Sequence, residues 1–286
     1  MTLSTRFAPS PTGPLHLGHA YAAWVAADLA SRERGRFQLR IEDIDQTRAR
    51  AEWEAQIYLD LSWLGLEWET PVMRQSDRLS EYQRALDRLW RDGLLYPCNC
   101  NRRDILNAAT APQEGAAQSF GPDGLIYPGT CRDKPRPKTR PPDLALRLDM
   151  AQALGQAQYC FTETGRGPDG QTGDITLARD HILRNTGDVV LARRDMGTSY
   201  HLSVVVDDAA QGITTVTRGH DLFDATQIHI VLQSLLGFDV PRYHHHRLIR
   251  DDAGKRLAKR DDARAIRTYR DDGYSVSDIK TMIGLG

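Results

Sequence analysis

The chain has 286 residues, of which 40% are hydrophobic and 26% charged. That is enough for one large or two modest domains around a buried core, and it excludes a disordered chain or a coiled coil. Lys and Arg number 37 against 38 Asp and Glu, for a net charge of -1, so a nucleic acid must be met by a local basic patch rather than a global field. The longest apolar stretch, residues 20–30, is interrupted by Asp28 and is too short for a bilayer. The N-terminus lacks a charged region followed by an apolar one, so secretion is not expected. Four cysteines cannot staple a chain this long. Cys98 and Cys100, one residue apart, read as metal ligands rather than a disulfide, and a reducing cytoplasm is the expected location.

The first segment alternates strand and helix signals. Thr5–Ala8 is extended and leads into the turn-rich Pro9-Ser10-Pro11-Thr12-Gly13-Pro14. Leu17–Arg34 has a helical pattern stopped by Gly35, and Phe37–Ile41 alternates as a strand. Ala51–Leu64 and Ser76–Asp92 read as helices, the second with Leu79, Tyr82, Leu86, Leu89 and Trp90 on one stripe. Strand–helix–strand–helix predicts an α/β fold with a parallel sheet and crossover helices. Residues 107–125, 133–142 and 165–173 are loops by composition, and residues of about 96–188 read as an insertion rather than a sheet layer. Strands are expected again at Val189–Leu191 and Leu202–Val206, then a helix at Thr226–Leu236. The expected domains are 1–95 and 189–240 as two halves of a nucleotide-binding sheet, 96–188 as the insertion, and 241–286 as a loop and a short helical appendage.

The segment RFAPSPTGPLHLGHAYAA ends a strand, turns through a Pro/Gly loop and opens a helix at His16-Leu17-Gly18-His19. A helix N-terminus offers unpaired N–H groups and a positive dipole end, which suits phosphate. His16 and His19, three apart, can both donate to phosphate oxygens, and Gly18 leaves room for a nucleotide against the backbone. The bland reading of two histidines in a helix is packing or surface, and the loop before them argues against it. A second cationic loop, Gly254-Lys255-Arg256-Leu257-Ala258-Lys259-Arg260, can reach a triphosphate and meet the charge that builds on leaving pyrophosphate.

HLGH and KRLAK resemble the two signature motifs of class I aminoacyl-tRNA synthetases. RFAPSPTGPLHLGHA, RIEDIDQTR, SYHLSVVVDD and TRGHDL are similar to the glutamyl-tRNA synthetase group, in the same order, from about Arg6 to Arg260. The resemblance implies a Rossmann-like catalytic core split by a zinc-bearing insertion, with ATP, L-glutamate and a tRNA as substrates and Mg2+ accompanying ATP. It gives His16, Gly18, His19, Arg256 and Lys259 to ATP, with His16, His19 and Lys259 in the catalytic role. It gives Arg6, Phe7, Ala8, Pro9, Ser10, Glu42, Tyr200 and Arg218 to glutamate. The chemistry agrees: arginine forks match carboxylates, and an acid is needed for the α-ammonium. Glu42 has a bland alternative as a solvated acid and Tyr200 as a core aromatic. Asp207 and Asp208 are expected to be structural or loop-ordering acceptors, and His244-His245-His246 structural.

Three cysteines in the insertion, Cys98, Cys100 and Cys131, fit a zinc that wants four ligands. Spacing alone leaves the fourth as water or Cys160, whereas the resemblance implies Tyr127. Two departures stand out: Arg256 replaces the usual lysine and Ala258 the usual serine of the second motif. The chain also stops 26 residues after Arg260, room for one or two short helices and no anticodon-binding domain. That length is similar to the short paralogues that attach glutamate to queuosine at the wobble position of tRNA(Asp). The alternatives are a truncated synthetase charging a tRNA 3′ end, a small-molecule nucleotidyltransferase, and a non-catalytic tRNA-binding paralogue. A cytoplasmic monomer that binds no membrane is expected.

Overall fold

The computed structural model describes residues 2–109, 120–250 and 264–286. Its first layer is β1 (Ser4–Phe7), α1 (Leu17–Arg32), β2 (Arg36–Ile41), α2 (Ala51–Trp63), β3 (Glu69–Arg74) and α3 (Leu79–Arg91). The three strands are parallel in the order β1-β2-β3. A 3-10 turn at Gln75–Arg78 precedes α3, whose buried stripe is Tyr82, Leu86 and Leu89, while Leu79 is exposed.

Then follow β4 (Leu95–Cys98), α4 (Arg102–Ala109), the short hairpin β5 (Phe120–Gly121) and β6 (Gly124–Leu125), β7 (Ala145–Leu148) and α5 (Met150–Ala153). The chain continues through β8 (Tyr159–Glu163), β9 (Gly173–Leu177), α6 (Arg179–Thr186), β10 (Val190–Ala192), α7 (Tyr200–Ala210), β11 (Thr215–Gly219), α8 (Thr226–Leu236) and β12 (Arg242–His246). Two short helices, α9 (Ile266–Asp271) and α10 (Val276–Met282), end it.

A second sheet has the order β11-β12-β8-β9, with β11, β12 and β8 parallel. Its β11 edge lies against β1: Thr214 N–H donates to the Ser4 carbonyl at 3.0 Å, and Ser4 N–H donates to Thr214 Oγ1 at 2.9 Å. The lateral order is therefore β3-β2-β1-β11-β12-β8. The chain reverses its direction of travel across the layer between β1 and β11, and in open α/β sheets that switch point is where ligands bind, beyond the carboxyl ends of the strands.

Two expectations need correction. Leu202–Val206 is not a strand but the middle of α7. A run that is apolar on all sides has no periodicity to separate helix from strand. Here Ser199 caps a helix, its Oγ accepting from Leu202 N–H, and His201 through Asp208 are all buried. The insertion also holds sheet: β8 pairs with β12 at Tyr243 and Glu163. Its Tyr159, Phe161 and Glu163 alternate inward, a period-2 signal hidden between two glycine clusters.

One core, around Leu86, Leu202, Ile228 and Tyr243, lies under the second sheet; another, around Leu15, Trp24, Leu39 and Leu61, lies under the first. Ile266, Ile279 and Ile283 of the last two helices belong to the second of these, so that segment packs beneath α1 rather than standing apart.

Candidate active site

The cleft at the switch point holds about 360 Å3 and is lined by Arg6, Phe7, Ala8, His16, Gly18, His19, Glu42, Tyr200 and Arg218, among others. Nine of the thirteen residues assigned to ATP and glutamate from the sequence thus share one wall system. Pro9 is buried behind it, its carbonyl accepting from Glu42 N–H at 3.0 Å and tying the first loop to the end of β2. Ser10 faces a second, larger cavity of about 1060 Å3. Glu42, Tyr200 and Leu222 line both cavities, so the smaller opens onto the larger across these side chains.

The two histidines are built by the helix start. His16 is the N-cap of α1: its Nδ1 accepts from Gly18 N–H at 3.1 Å, and His16 N–H donates to His19 Nδ1 at 3.1 Å. Both Nδ1 atoms act as acceptors, which puts both protons on Nε2 and makes each imidazole an Nε2–H donor. The rings lie 3.8 Å apart. Gly18 is needed for this as much as for a ligand, because a Cβ there would sit 3.0 Å from the His16 ring.

The carboxylate-binding candidates differ in their surroundings. Arg6 is buried with its fork on Asp208, Nε at 2.9 Å and Nη2 at 3.4 Å, and its Nη1 donates to the Thr217 carbonyl at 3.0 Å. Of five N–H donors, two remain for a ligand. Arg218 donates Nε–H to His245 Nε2 (3.0 Å), Nη1–H to His229 Nδ1 (2.8 Å) and Nη2–H to Thr226 Oγ1 (2.6 Å). All three acceptors are uncharged, and among the described residues no carboxylate pairs with it. Arg218 is therefore a buried cation whose charge has no direct counter-ion, and such a group favours an anionic ligand beside it.

Glu42 receives Arg40 Nη2 at 3.1 Å. Burial pushes its carboxyl up, against the pull of Arg40 and Arg6; a cationic ligand group beside it favours the ionised form. Burial also raises the Tyr200 phenol, so it stays protonated as a donor. Asp207 and Asp208 are structural, as expected. One turn of α7 aims them at different layers: Asp207 receives Gln75, Arg78 and Tyr82, and Asp208 receives Arg6 and Arg40. Burial would raise the Asp208 carboxyl, but Arg6 and Arg40 hold it below the ordinary value.

Arg256 and Lys259 lie outside the described residues. The residues flanking them are placed: Arg247, Leu248 and Ile249 line the cleft, and Ile266 N–H donates to the Leu15 carbonyl at 2.8 Å, one residue before His16. The second motif is thus bracketed by segments that meet the first.

Sequence reading missed Arg40, the largest fully buried side chain among the described residues, which binds Asp208 at 2.7 Å. Arg40 shares the polar alternation of β2 with Arg36 and Gln38, so no local pattern marked it as buried. It also missed His201 and His229, for which no local pattern exists. The three consecutive histidines do not converge on an ion, since β12 is extended; His245 meets Arg218, and His246 stacks edge-on against Tyr21 at 5.2 Å and lines the cleft.

Among the described residues, Cys98, Cys100 and Cys131 form a group able to share a metal ion, their sulfurs within 4.8 Å of one another. Tyr127 Oη lies 3.5 Å from Cys98 Sγ and 3.4 Å from Cys100 Sγ, and Cys100 and Cys131 sulfurs are 3.6 Å apart. The Arg147 guanidinium covers the Tyr127 ring at 3.8 Å. Cys160 is exposed on β8, outside this group. In the basic run after Cys131, Arg132 is paired with Asp188, Arg136 with Asp149 and Arg140 with Asp87, while Lys134 and Lys138 are exposed.

A parallel sheet of this order, with a histidine-capped helix at its switch point, defines a nucleotide-binding catalytic core of the synthetase type. Residues 2–285 match the family described as tRNA synthetases class I (E and Q), catalytic domain, and the chain belongs to that family. It is 62% identical over 283 residues to the glutamyl-Q tRNA(Asp) synthetase of Rhodobacter capsulatus, covering 98% of this chain and 99% of that one. To the protein of the same name from Geobacter sulfurreducens it is 41% identical, over 93% of this chain and 78% of the other. In fold it is similar to the glutamate tRNA ligase of Elizabethkingia meningosepticum, with a TM-score of 0.76 at 24% identity, covering 100% of this chain and 61% of that one. The chain thus spans about three fifths of the length of that solved ligase. Among the described residues, no helix is long and apolar enough to cross a membrane.

Proposed function

We propose that the chain activates L-glutamate with ATP as glutamyl-adenylate and transfers the glutamyl group to queuosine at the wobble position of tRNA(Asp). The observation that carries the first half is Arg218, a buried guanidinium held by uncharged acceptors in a cleft that also holds an acid and two Nε2–H donors. The substrate side chain supplies the missing anion. Glu42 takes the α-ammonium, and Tyr200 closes the wall. The α-carboxylate attacks the α-phosphorus in line, and pyrophosphate leaves toward His16, His19 and the Lys259 loop. The protein positions the reactants and neutralises charge; no protein nucleophile is required. Mg2+ arrives with the ATP phosphates.

The acceptor reading rests on the names of the similar proteins and on the larger cavity beyond Glu42 and Tyr200. A hydroxyl of a splayed-out loop base in that cavity reaches the mixed anhydride across these two side chains. The protein acts in the cytoplasm as a monomer.

The cysteine group fits zinc. A tetrahedral ion with bonds of ~2.3 Å to sulfur and ~2.0–2.2 Å to oxygen spaces its ligands by about 3.5–3.8 Å, and the Tyr127–cysteine and Cys100–Cys131 separations fall there or just below. Four protein ligands leave no open position, so zinc at Cys98, Cys100, Tyr127 and Cys131 would tie β4 to the following loop and supply no chemistry at the cleft.

The test is glutamate-dependent ATP–pyrophosphate exchange without RNA, followed by mass spectrometry of nucleosides from tRNA(Asp) incubated with ATP and labelled glutamate. Exchange and a glutamylated queuosine are expected. No exchange without RNA refutes the first half, and label on the 3′-terminal adenosine refutes the second.

A further inference from the structure

Arg218 sits in the middle of a hydrogen-bonded chain that crosses the core. His229 Nδ1 accepts from Arg218 Nη1–H, so the His229 proton must lie on Nε2. That Nε2 is 3.1 Å from His201 Nδ1. His201 then carries its proton on Nε2, which is 3.4 Å from Asp123 Oδ1 in the β5–β6 turn. On the other arm, His245 Nε2 accepts from Arg218 Nε–H, so His245 Nδ1 is the donor to Glu163 Oε2. Glu163 is itself fixed by the backbone N–H groups of Gly165 (2.7 Å) and His245 (2.9 Å). Each tautomer follows from its neighbour, and the order from Glu163 through His245, Arg218, His229 and His201 to Asp123 is unbroken.

The chain solves a particular electrostatic problem. A carboxylate placed directly on Arg218 would neutralise it and occupy the fork that the substrate needs. Glu163 instead stands one imidazole away, so its charge supports the buried cation without taking its donors. Thr226 and His229 hold the two terminal nitrogens from α8, and His245 holds Nε from β12, so the plane of the guanidinium is fixed from two elements. Burial, with Arg218 next in effect, holds His229 well below the ordinary histidine value, so it remains the acceptor that this geometry requires.

We propose that His229, with His201 behind it, and the Glu163–His245 pair are positioning residues that set the Arg218 fork for an acidic substrate side chain, and so set the preference for glutamate. The inference rests on the assignment of Arg218 to the glutamate side chain made above.

The experiment compares His229→Leu, His229→Gln, His201→Leu and Arg218→Gln with wild type in ATP–pyrophosphate exchange, recording kcat and KM separately for glutamate and ATP. Leucine at 229 keeps the bulk and removes the acceptor. Glutamine restores both functions, its Oε1 accepting from Arg218 and its Nε2 donating to His201. The expected result for His229→Leu is a glutamate KM raised about 10- to 100-fold, the range for losing a hydrogen bond to a charged group. Its ATP KM should be unchanged, and His229→Gln should fall within about threefold of wild type. His201→Leu, one step further from Arg218, should show the same selective rise at smaller size. A proportional loss for both substrates, an unchanged glutamate KM, or failure of glutamine to rescue overturns the proposal. If His229→Leu does not fold, the His201→Leu and His229→Gln results decide it on the same criteria. If Arg218→Gln leaves the glutamate KM unchanged, the assignment of Arg218 has failed and the proposal with it. If Arg218→Gln raises that KM and the histidine variants do not, only the positioning role is wrong.

Discussion

Replacing Asp208 by Asn removes the one carboxylate that two buried guanidinia share. Asp208 receives Arg6 Nε at 2.9 Å and Arg40 Nη1 at 2.7 Å. The Arg40 side chain has no solvent exposure, and those of Arg6 and Asp208 have 7% and 8%. Removing one partner of a buried pair costs about 3–5 kcal/mol, chiefly because the remaining charge is left uncompensated. Two guanidinia are stranded here, but Arg40 retains Glu42 at 3.1 Å, so about 3–5 kcal/mol is the expected loss rather than twice that. In thermal unfolding this is a drop of roughly 6–20 °C, taking about 2–4 °C per kcal/mol for a chain of this order of size. The pH dependence gives a sharper check. The folded-state carboxyl of Asp208 lies below its ordinary value, so its stabilisation is present above the unfolded pKa of about 3.9 and is lost as pH falls through the folded value. The stability gap between wild type and Asp208→Asn should be constant from pH 7 down to about 4 and shrink below that. A gap under about 1 kcal/mol at pH 7, as for a surface pair, or one that widens in acid, refutes the reasoning.

Lys259→Ala should slow adenylate formation by about 2.7–4 kcal/mol of activation free energy, the size of a lost oxyanion donor, and leave the glutamate KM nearly unchanged; unchanged turnover with a raised glutamate requirement contradicts the role. One zinc per chain is expected in protein purified without added metal, and Cys98→Ser should lose it; a full equivalent retained by that variant shows the ligand set to be wrong. A tRNA(Asp) that carries queuosine and lacks its 3′-terminal adenosine should still accept glutamate. If it accepts none while intact unmodified tRNA(Glu) does, the acceptor is a 3′ end.

Where a feature is written in contiguous residues, the sequence was a sound guide to local structure. The strand, turn and helix read around HLGH are β1, its following loop and α1, and the cap itself sets both imidazoles as donors. The parallel layer followed from strand–helix alternation. What stayed hidden depends on contacts between distant segments. SYHLSVVVDD shows its motif plainly, yet an all-apolar run does not declare whether it is helix or strand; Ser199 and packing on both sides decide it. Arg6 and Arg218 look alike in the sequence as candidate carboxylate clamps. Only the fold separates them, by giving Asp208 to one and uncharged acceptors to the other. The run from Arg132 to Arg140 is a basic loop in the sequence, but its three arginines meet acids from other segments, which no local pattern announces.

The contacts of Asp208 also have a consequence in time. It is 202 residues from Arg6 and 168 from Arg40. A ribosome adding ~5–20 residues per second takes roughly 8–40 s to cover that interval. Throughout it, the nascent first layer carries two guanidinia whose final positions are buried and whose shared carboxylate has not yet been made. Closing that layer early would strand both charges, so the chain emerging from the tunnel has an electrostatic reason to stay open. One turn of α7 supplies Asp207 to the 3-10 turn and α3, and Asp208 to β1 and β2. The two halves can lock only after these two consecutive residues have been made, together with the β11 strand that follows them against β1.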